Sequence, residues 1–321
     1  MPRLLLAPME GLVDDVMRDA LTRAGGYDHC VTEFIRISGS LLPVRAYTRV
    51  SPELENGSRT KAGTPVRVQL LGSEPACMAE NAARLAGLAP AGIDLNFGCP
   101  APTVNRHRGG AALLDEPELL FEIAAAVRRA VPKGIPFTAK MRLGVRDATR
   151  AVECAQALAD GGAEELVIHG RTKLDGYRPP AHWGEIARVA EQVKVPVVAN
   201  GEVWKPEDWQ RCRSESGRGD VMIGRGAVAD PFLARRIRGD APPSSEACWT
   251  ELLGMIAVYW QRVLTKLEPR HCPGRVKQWL LLLERNYPQA TQMLAQVRAE
   301  RDPLRFEAML RCHGVPLAEA A

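Results

Sequence analysis

The chain has 321 residues, of which 46% are hydrophobic and 25% charged, so it is expected to form one large or two smaller globular domains. Lysine and arginine (42) exceed aspartate and glutamate (38) by only 4, which excludes a surface that binds polyanions over its whole area. The apolar runs are a few residues long, whereas a membrane span needs about 20. The N-terminus shows no signal-peptide pattern, and we expect a cytoplasmic protein.

Short β-rich runs recur along the first three quarters of the chain, and each ends in a polar or glycine-containing turn. They lie at residues 4–9, 29–35, 66–71, 92–97, 136–143, 165–169, 195–200 and 220–224. Their starts are about 25 to 45 residues apart, the length of one strand–helix unit. Helical apolar spacing lies between them, for example after Asp115, Glu116 and Pro117, and over 151–161 and 206–212. Eight such units predict a (β/α)8 TIM barrel rather than an open doubly wound sheet.

The barrel is predicted to close near Arg238, where a connector rich in Gly, Pro and Ser begins. No strand-like run follows it. Helical spacing of Leu, Met, Val and Trp recurs instead, over residues 251–267, 276–284 and 290–298. The sequence therefore predicts a catalytic barrel over 1–240 and a small all-α helical domain over 246–321.

Residues that close the strands are the candidates for a functional site, because such barrels build their sites at the C-terminal ends of the strands. They are Pro8, Met9, Glu10, Glu33, Arg36, Gln69, Asn96, Cys99, Lys140, Arg142, His169, Arg171, Asn200, Gly201, Glu202, Gly224, Arg225 and Gly226. The last two turns place glycine where a backbone N–H can approach an anion, and these loops are the usual phosphate site of a barrel. The pattern predicts a phosphorylated cofactor.

Cys99 follows the fourth predicted strand, whereas the other seven cysteines fall in predicted helices, strand starts or the tail. No Cys-x-x-Cys pair and no His-Glu-x-x-His segment exists, so no metal site is predicted. A thiol with a pKa of about 8.5 is a nucleophile when ionised and a proton donor when protonated. A passive loop thiol is the alternative.

Lys140 and His169 are the other two candidates whose chemistry is informative. A lysine inside a barrel strand is costly to bury without an anionic partner, so an anionic or electron-rich ring over the barrel would stabilise Lys140. His169 is either a satisfied core histidine or a hydrogen-bond donor to such a ring.

Seven motifs together resemble those of the tRNA-dihydrouridine synthases, which are FMN-dependent barrel enzymes with a C-terminal helical domain. The motifs are Ala7-Pro8-Met9-Glu10-Gly11, Val68-Gln69-Leu70-Leu71-Gly72, Asn96-x-Gly98-Cys99-Pro100, Lys140-x-Arg142-Leu143-Gly144, His169-Gly170-Arg171-Thr172, Asn200-Gly201-Glu202 and Ile223-Gly224-Arg225-Gly226. Three further segments most resemble the bacterial C-type branch, which acts on uridine 16 of the D-loop. These are Thr32-Glu33-Phe34-Ile35-Arg36, Leu41-Leu42-Pro43-Val44 and Arg275-x-Lys277-Gln278-Trp279-Leu280.

The resemblance implies that a hydride passes from NADPH to FMN and then to C6 of a uracil, while Cys99 delivers a proton to C5. It also implies a set of flavin-binding residues. Pro8, Met9, Glu10 and Gln69 would hold the isoalloxazine edge, Lys140 and His169 would face its pyrimidine side, and Asn200, Gly201, Glu202, Gly224 and Arg225 would bind the ribityl chain and phosphate.

The resemblance further implies tRNA as the partner, with the target uridine flipped out of its stack. Asn96 would contact the uracil edge and Tyr177 would stack or bond near it. Arg36, Arg275, Lys277 and Arg298 would hold phosphates. The branch often has a basic residue soon after Cys-Pro, whereas positive charge here comes later, at Arg106-His107-Arg108, which leaves the RNA contacts of this loop open.

Two alternatives remain at this stage. An FMN-dependent barrel reductase of a free pyrimidine or an enone would use the same flavin residues, but it has no use for the basic residues of the helical tail. A non-enzymatic RNA-binding protein is expected to have lost Cys99, Lys140 or the phosphate turns, and all are present. We expect a monomer without a protein partner.

Overall fold

The computed structural model describes residues 2–105, 109–240, 242 and 244–317. Within them nine parallel strands form one sheet in the order β2-β1-β9-β8-β7-β6-β5-β4-β3. The strands are β1 (Leu4–Leu6), β2 (His29–Val31), β3 (Ile35–Arg36), β4 (Val66–Leu71), β5 (Ile93–Phe97), β6 (Phe137–Arg142), β7 (Glu165–His169), β8 (Val197–Asn200) and β9 (Val221–Ile223). Both β2 and β3 pair with β4, so they act as one interrupted strand and close an eight-stranded barrel. The predicted TIM barrel is confirmed.

Helices follow the strands, and several begin with proline in the first turn, where the missing N–H has no intrahelical partner to lose. The helices of the barrel segment are α1 (Asp15–Ala24), α2 (Val44–Val50), α3 (Pro75–Ala86), α4 (Pro102–Asn105), α5 (Pro117–Ala130), α6 (Ala151–Asp160), α7 (Trp183–Ala190) and α8 (Pro206–Ser216). The later helices are α9 (Arg225–Ala229), α10 (Leu233–Arg238), α11 (Ser245–Lys266), α12 (Cys272–Leu283), α13 (Pro288–Val297) and α14 (Pro303–Cys312). No described helix is both long and apolar enough to cross a membrane.

The barrel interior is apolar on one side and polar on the other. Its apolar cluster comes from five strands or strand ends: Leu5, Ala7, Val31, Val167, Val198 and Met222. Lys140 is the register partner of Val167, so it points to the same side of the sheet. Because side chains alternate along a strand, Thr138 lies below Lys140 on that side, and Asp94 and Asn96 are their register partners on β5. This polar half of the interior leads toward the predicted site.

A charged layer closes the opposite, N-terminal end of the barrel. Arg3 Nε donates to Asp220 at 2.8 Å, Arg67 Nη1 donates to Glu165 at 2.7 Å, and Arg3 also pairs with Glu165. His29 is buried beside this layer. Burial, together with the charges of Arg67 and Arg3, lowers the pKa of His29 to about 3. The imidazole is therefore neutral in the folded protein over the ordinary pH range.

The described chain forms two compact units, Met1–Asp15 with Tyr27–Gly224 and Val16–Gly26 with Arg225–Ala321. The domain boundaries predicted from the sequence, 1–240 and 246–321, stay a prediction. In the two compact units, α9 and α10 group with the C-terminal helices. Side chains of the later helices explain this grouping. Trp279 Nε1 donates to Val228 O at 3.2 Å, Asn286 Nδ2 to Ala229 O at 2.9 Å, and the Tyr287 hydroxyl to Asp230 at 2.8 Å.

The second unit is held by aromatic packing between its long helices. The rings of Tyr259 and Trp279 lie 4.9 Å apart edge to face, and those of Trp260 and Phe306 lie 5.1 Å apart. The predicted helices over 251–267, 276–284 and 290–298 are present as α11, α12 and α13, with shifted ends. Helix α14 lies outside the helices predicted from the sequence, although its Phe306 and Leu310 are fully buried.

Candidate active site

Strand register brings most of the predicted residues to one end of the barrel. Asn96 is paired with Lys140, Arg142 with His169, and His169 with Asn200, all at the carboxyl ends of β5 to β8. Gln69 lies one strand away and is fully buried. These side chains therefore line the mouth where a barrel builds its site.

The loop after β1 also reaches this mouth, beside the end of β9. Leu6 is paired with Ile223, so the turns that follow the two strands are neighbours. A Cβ on Gly224 would lie 3.7 Å from Met9 Sδ, which leaves space in front of this turn. Pro8 and Met9 are half-buried and Glu10 is exposed. The N–H of Gly11 donates to Glu33, which fixes the loop that carries them.

The turn after β8 requires glycine. Gly201 has φ +121°, and a Cβ there would come within 2.8 Å of the His169 ring. Glu202 follows with φ 59°, a backbone conformation that few residues other than glycine adopt. Its carboxylate pairs with buried Arg171 and accepts from Trp204 Nε1 at 2.9 Å. Asn200 Nδ2 donates to Met222 O at 2.9 Å, so both side chains hold the turn in place.

Cys99 is half-buried in the turn after β5. Its carbonyl accepts from Ala111 N at 3.0 Å and from Asn105 Nδ2 at 3.2 Å. Burial raises the pKa of its thiol, and the negative charge of Glu10 raises it further. The group is therefore a thiol at neutral pH, the form that can give a proton away.

Asn96 holds this turn from below. Its Oδ1 accepts from the backbone N–H groups of Gly98 and Cys99, each at 2.9 Å. Its Nδ2 donates to Gln69 Oε1 at 2.7 Å, and Gln69 Nε2 in turn donates to Asp94. Each of the two amides keeps one N–H beyond these bonds. That remaining N–H is what either side chain can offer to a bound ring.

Lys140 lies half-buried between Asp94 and the mouth of the barrel. Burial and the neighbouring charge of Arg142 lower the pKa of its ammonium to about 8. The negative charge of Asp94 opposes this shift, and an electron-rich or anionic group above the barrel would stabilise the ammonium further.

Two buried arginines, present among the strand-end candidates but given no role there, organise the loops around the site. Arg142 Nε donates to Gly98 O at 2.8 Å, and its Nη1 donates to Thr172 O at 2.8 Å and to Gly176 O at 2.7 Å. It therefore ties the Cys99 turn to the loop after β7. A guanidinium inside a strand was the available signal, because burying it requires several acceptors.

The second is Arg171, which is 1% exposed. Its Nε donates to Arg178 O at 2.6 Å, and its Nη1 lies 3.2 Å from His169 Nε2. A guanidinium only donates, so His169 Nε2 accepts and the ring proton sits on Nδ1. Tyr177 is 55% exposed, with its ring centroid 6.4 Å from that of His169 and 5.2 Å from the Arg142 guanidinium.

The remaining predicted RNA contacts are exposed or half-buried. Arg36 and Arg298 are exposed, and Arg275 Nη1 donates to Gln278 at 2.6 Å. Lys277 donates to the backbone carbonyl of Glu300 and lies 5.5 Å from the Phe306 ring centroid, so it has a structural role in the second unit. Arg106, His107 and Arg108 lie outside the described residues. Among described residues, no group of three or more His, Cys, Asp or Glu could hold a metal ion.

Comparison with protein families gives one match that covers most of the chain. The model described as "Dihydrouridine synthase (Dus)" matches residues 5–290. Three relatives with the name tRNA-dihydrouridine(16) synthase illustrate the similarity. The protein from Pseudomonas syringae pv. tomato is 57% identical over 97% of this chain and 98% of its own. That from Ralstonia nicotianae is 58% identical over 94% and 93%, and that from Neisseria meningitidis serogroup B is 47% identical over 94% and 91%.

Solved structures share the barrel at much lower identity. A 2-naphthoyl-CoA reductase complex superposes with a TM-score of 0.57 at 13% identity, covering 75% of this chain and 50% of its own. Morphinone reductase in complex with tetrahydroNAD gives a TM-score of 0.52 at 13% identity, covering 77% and 90%. At this identity the likeness concerns the fold alone.

Proposed function

Because the chain belongs to the dihydrouridine synthase family, we propose that it reduces a uridine of tRNA to 5,6-dihydrouridine, with FMN bound in the barrel mouth and NADPH as the electron donor. The target we propose is position 16, in line with the names of relatives that are 47% to 58% identical to it. The observation that carries the proposal is the Cys99 turn, a protonated thiol held at the barrel mouth by Asn96.

The residues at the mouth fit a flavin in three respects. The Lys140 ammonium, whose pKa is lowered by burial, would face the electron-rich pyrimidine side of the ring, where negative charge develops on reduction. His169 carries its proton on Nδ1 and is a hydrogen-bond donor there. The turns at Gly201 and Gly224 have no side chain between the backbone and its surroundings, so a phosphate could approach the backbone N–H groups there.

The other flavin contacts stay predictions with the same roles. Pro8, Met9, Glu10 and Gln69 would border the ring, and Asn200 and Glu202 would shape the turn near the ribityl chain. Arg225, the first residue of α9, is proposed to bind the phosphate. When bound in the barrel mouth by these residues, FMN would supply the hydride chemistry, with NADPH as the source of the hydride and C6 of the uracil as its acceptor.

The proton is the protein's own contribution. Cys99 gives its Sγ proton to C5 of the uracil as the hydride arrives at C6, so both atoms of the double bond gain hydrogen. A raised thiol pKa keeps this proton in place until the substrate binds. Turnover leaves a thiolate, which regains its proton from solvent before the next cycle.

Substrate binding requires the uridine to leave its stack, because the reacting carbons are inaccessible inside one. Exposed Tyr177 offers a surface for base stacking beside His169, and the remaining amide N–H of Asn96 can donate to the uracil edge. Arg36, Arg275, Lys277 and Arg298 are proposed to contact phosphates. A cytoplasmic location and a monomeric state stay predictions.

A reconstituted reaction tests this function. Purified protein with FMN, NADPH and an unmodified tRNA transcript is expected to add two hydrogen atoms to one uridine, as mass spectrometry of the digested RNA would show. Cys99→Ala should retain FMN and tRNA binding, but its rate of dihydrouridine formation should fall by about 100-fold or more, the usual size of a general-acid contribution. Activity on free uridine but not on tRNA would favour the small-molecule reductase instead.

A further inference from the structure

A chain of hydrogen bonds inside the barrel begins at the carboxylate of Asp94 and ends at the backbone of Cys99. Asp94 is 2% exposed in the middle of β5. Its Oδ1 accepts from Thr138 Oγ1 at 2.6 Å, and its Oδ2 accepts from Gln69 Nε2 at 2.7 Å. An ionised carboxylate only accepts hydrogen bonds, so both neighbours must turn a donor toward it.

This requirement sets the direction of every bond that follows. A carboxamide has one accepting end and one donating end. Because Gln69 turns Nε2 to Asp94, its Oε1 faces Asn96 and accepts from Nδ2 there. Asn96 therefore turns Oδ1 to the N–H groups of Gly98 and Cys99. If Gln69 were reversed, Asn96 would reverse as well, and those two N–H groups would face an amide nitrogen that cannot accept.

We propose that Asp94 is a positioning residue for dihydrouridine synthesis, whose carboxylate orients Gln69 and Asn96 in series and so holds the turn that carries Cys99. The inference rests on the proposed function, in which Cys99 is the proton donor. Asp94 acts through the two amides.

If Asp94 only filled space in the barrel interior, an uncharged side chain would serve better than a carboxylate. Burying a charged group is unfavourable unless its partners compensate, and apolar side chains fill the other half of the barrel interior. Burial raises the pKa of the Asp94 carboxyl, whereas the hydrogen bonds from Gln69 and Thr138 and the positive charges of Arg67 and Lys140 favour its ionised form. An amide or hydroxyl here would fill the same space with less desolvation, but it would leave the orientation of Gln69 undetermined.

Two substitutions, made singly and together, test the direction of the chain. Gln69→Glu places a second carboxylate against Asp94, and the two repel. Adding Asp94→Asn should repair this, because the new amide donates to the carboxylate at position 69 while still accepting from Thr138. That carboxylate still accepts from Asn96, which keeps its orientation. The same Asp94→Asn change should thus be harmful in the wild type and beneficial beside Gln69→Glu.

The primary readout is the alkylation rate of Cys99 by iodoacetamide in flavin-free protein, followed by mass spectrometry of the peptide that contains it. We expect Gln69→Glu to speed alkylation about tenfold, because the loss of one or two hydrogen bonds to the turn has about this effect on its opening. The double variant should return to within about twofold of the wild type. The single-turnover rate of dihydrouridine formation should follow the same order.

Thr138→Val is the matched control. It removes one hydrogen bond from Asp94 and keeps the shape of the side chain, but it leaves the carboxylate and both amides in place. We expect a less stable protein in which Cys99 alkylation stays within about twofold of the wild type. If Gln69→Glu does not fold, as thermal melting would reveal, Asp94→Asn and Thr138→Val compared in the wild-type background decide the question.

Failure of Asp94→Asn to restore slow alkylation in the Gln69→Glu protein overturns the inference. So does a Thr138→Val protein in which alkylation is accelerated as much as by Asp94→Asn. If the wild type forms no dihydrouridine in any tRNA, the proposed function fails, whereas the alkylation cycle still reports on the geometry around Cys99.

Discussion

At the scale of single residues, the site combines groups whose protonation is set by burial. Cys99 is kept as a thiol, and Lys140 is held as an ammonium whose pKa is lowered to about 8. Burial disfavours the charged form of both side chains. At neutral pH Cys99 is uncharged, whereas Lys140 stays charged and would be stabilised by an anionic or electron-rich ligand. The thiol is ready for proton donation without one. On the proposed function, Lys140 would therefore link the stability of the flavin-free protein to FMN binding.

Lys140→Met tests this link. The change removes a half-buried charge but keeps most of the side-chain volume, so we expect the flavin-free protein to gain about 1–3 kcal/mol in its free energy of unfolding. The same protein should retain FMN more weakly. Urea unfolding of flavin-free samples and flavin absorbance after gel filtration measure the two effects. A variant that loses stability without FMN would contradict the account of Lys140.

At the scale of strands and loops, buried arginines connect segments that are distant in sequence. Arg142, at the end of β6, binds the turn after β5 and the loop after β7 at once. A lysine could reach one of these carbonyls, but its single ammonium lacks the planar fork that reaches all three. The position of the Cys99 turn relative to Tyr177 depends on this bridge.

Arg142→Lys should therefore lower the rate of dihydrouridine formation at saturating tRNA by about tenfold or more, since misplaced catalytic groups have effects of this size. Arg188→Lys, at an exposed position of α7 in the same barrel, is the matched control and should leave the rate unchanged. Single-turnover kinetics at several tRNA concentrations separate the rate from binding. Equal rates for both variants would remove Arg142 from the site's architecture.

The strands were predictable because each is a nearly continuous apolar run that ends in a turn, as burial on both faces demands. The break between β2 and β3 was not predictable, because residues 29–35 form one β-rich run and only the pairing with β4 reveals two pieces. Likewise, α14 is short, and its packing depends on contacts with helices earlier in the chain, such as the one between Phe306 and Trp260 of α11.

The candidate site was predictable to the level of which residues reach the mouth, because barrel topology places the strand ends there. Their hydrogen bonds were not. Asn96 and Gln69 were expected to serve ligands, whereas the structure shows that each also holds its neighbours through both ends of its amide. Such pairings depend on register between strands, which one sequence does not display.

At the scale of the whole molecule, one end of the barrel carries the candidate site and the other end is closed by charged residues. The mouth carries the site, and the opposite end is closed by ion pairs around neutral His29. The unfolded chain binds a proton at His29 below a pKa of about 6.5, whereas the folded protein does not until about pH 3. The folded state therefore loses stability as the pH falls from 6.5 toward 3.

His29→Leu should remove this part of the pH dependence. Relative to its own value at pH 7.5, the wild type is expected to lose about 2 kcal/mol more than the variant at pH 5, by proton linkage at this one group. Urea unfolding of both proteins at the two pH values gives the difference. Parallel stability curves for the two proteins would show that His29 titrates normally when folded.

The second unit carries three of the four basic residues that are proposed to hold tRNA, namely Arg275, Lys277 and Arg298. Because Lys277 is bound to the Glu300 carbonyl, exposed Arg298 is the better test of a phosphate contact. Arg298→Ala should weaken tRNA binding and reduce the slope of log K against log salt by about 1, the expected value for one lost contact. NADPH oxidation by oxygen without tRNA should not change. Binding titrations at several salt concentrations would reveal an unaltered slope if Arg298 makes no contact.

The measurement that tests the central claim most directly is a map of dihydrouridine in the tRNA of a strain that lacks this gene, with and without the gene restored. The account predicts that the modification disappears at position 16 alone, as in the names of the relatives, and that the wild-type gene restores it while Cys99→Ala does not. An unchanged dihydrouridine content in the deletion strain, at every position, would contradict it.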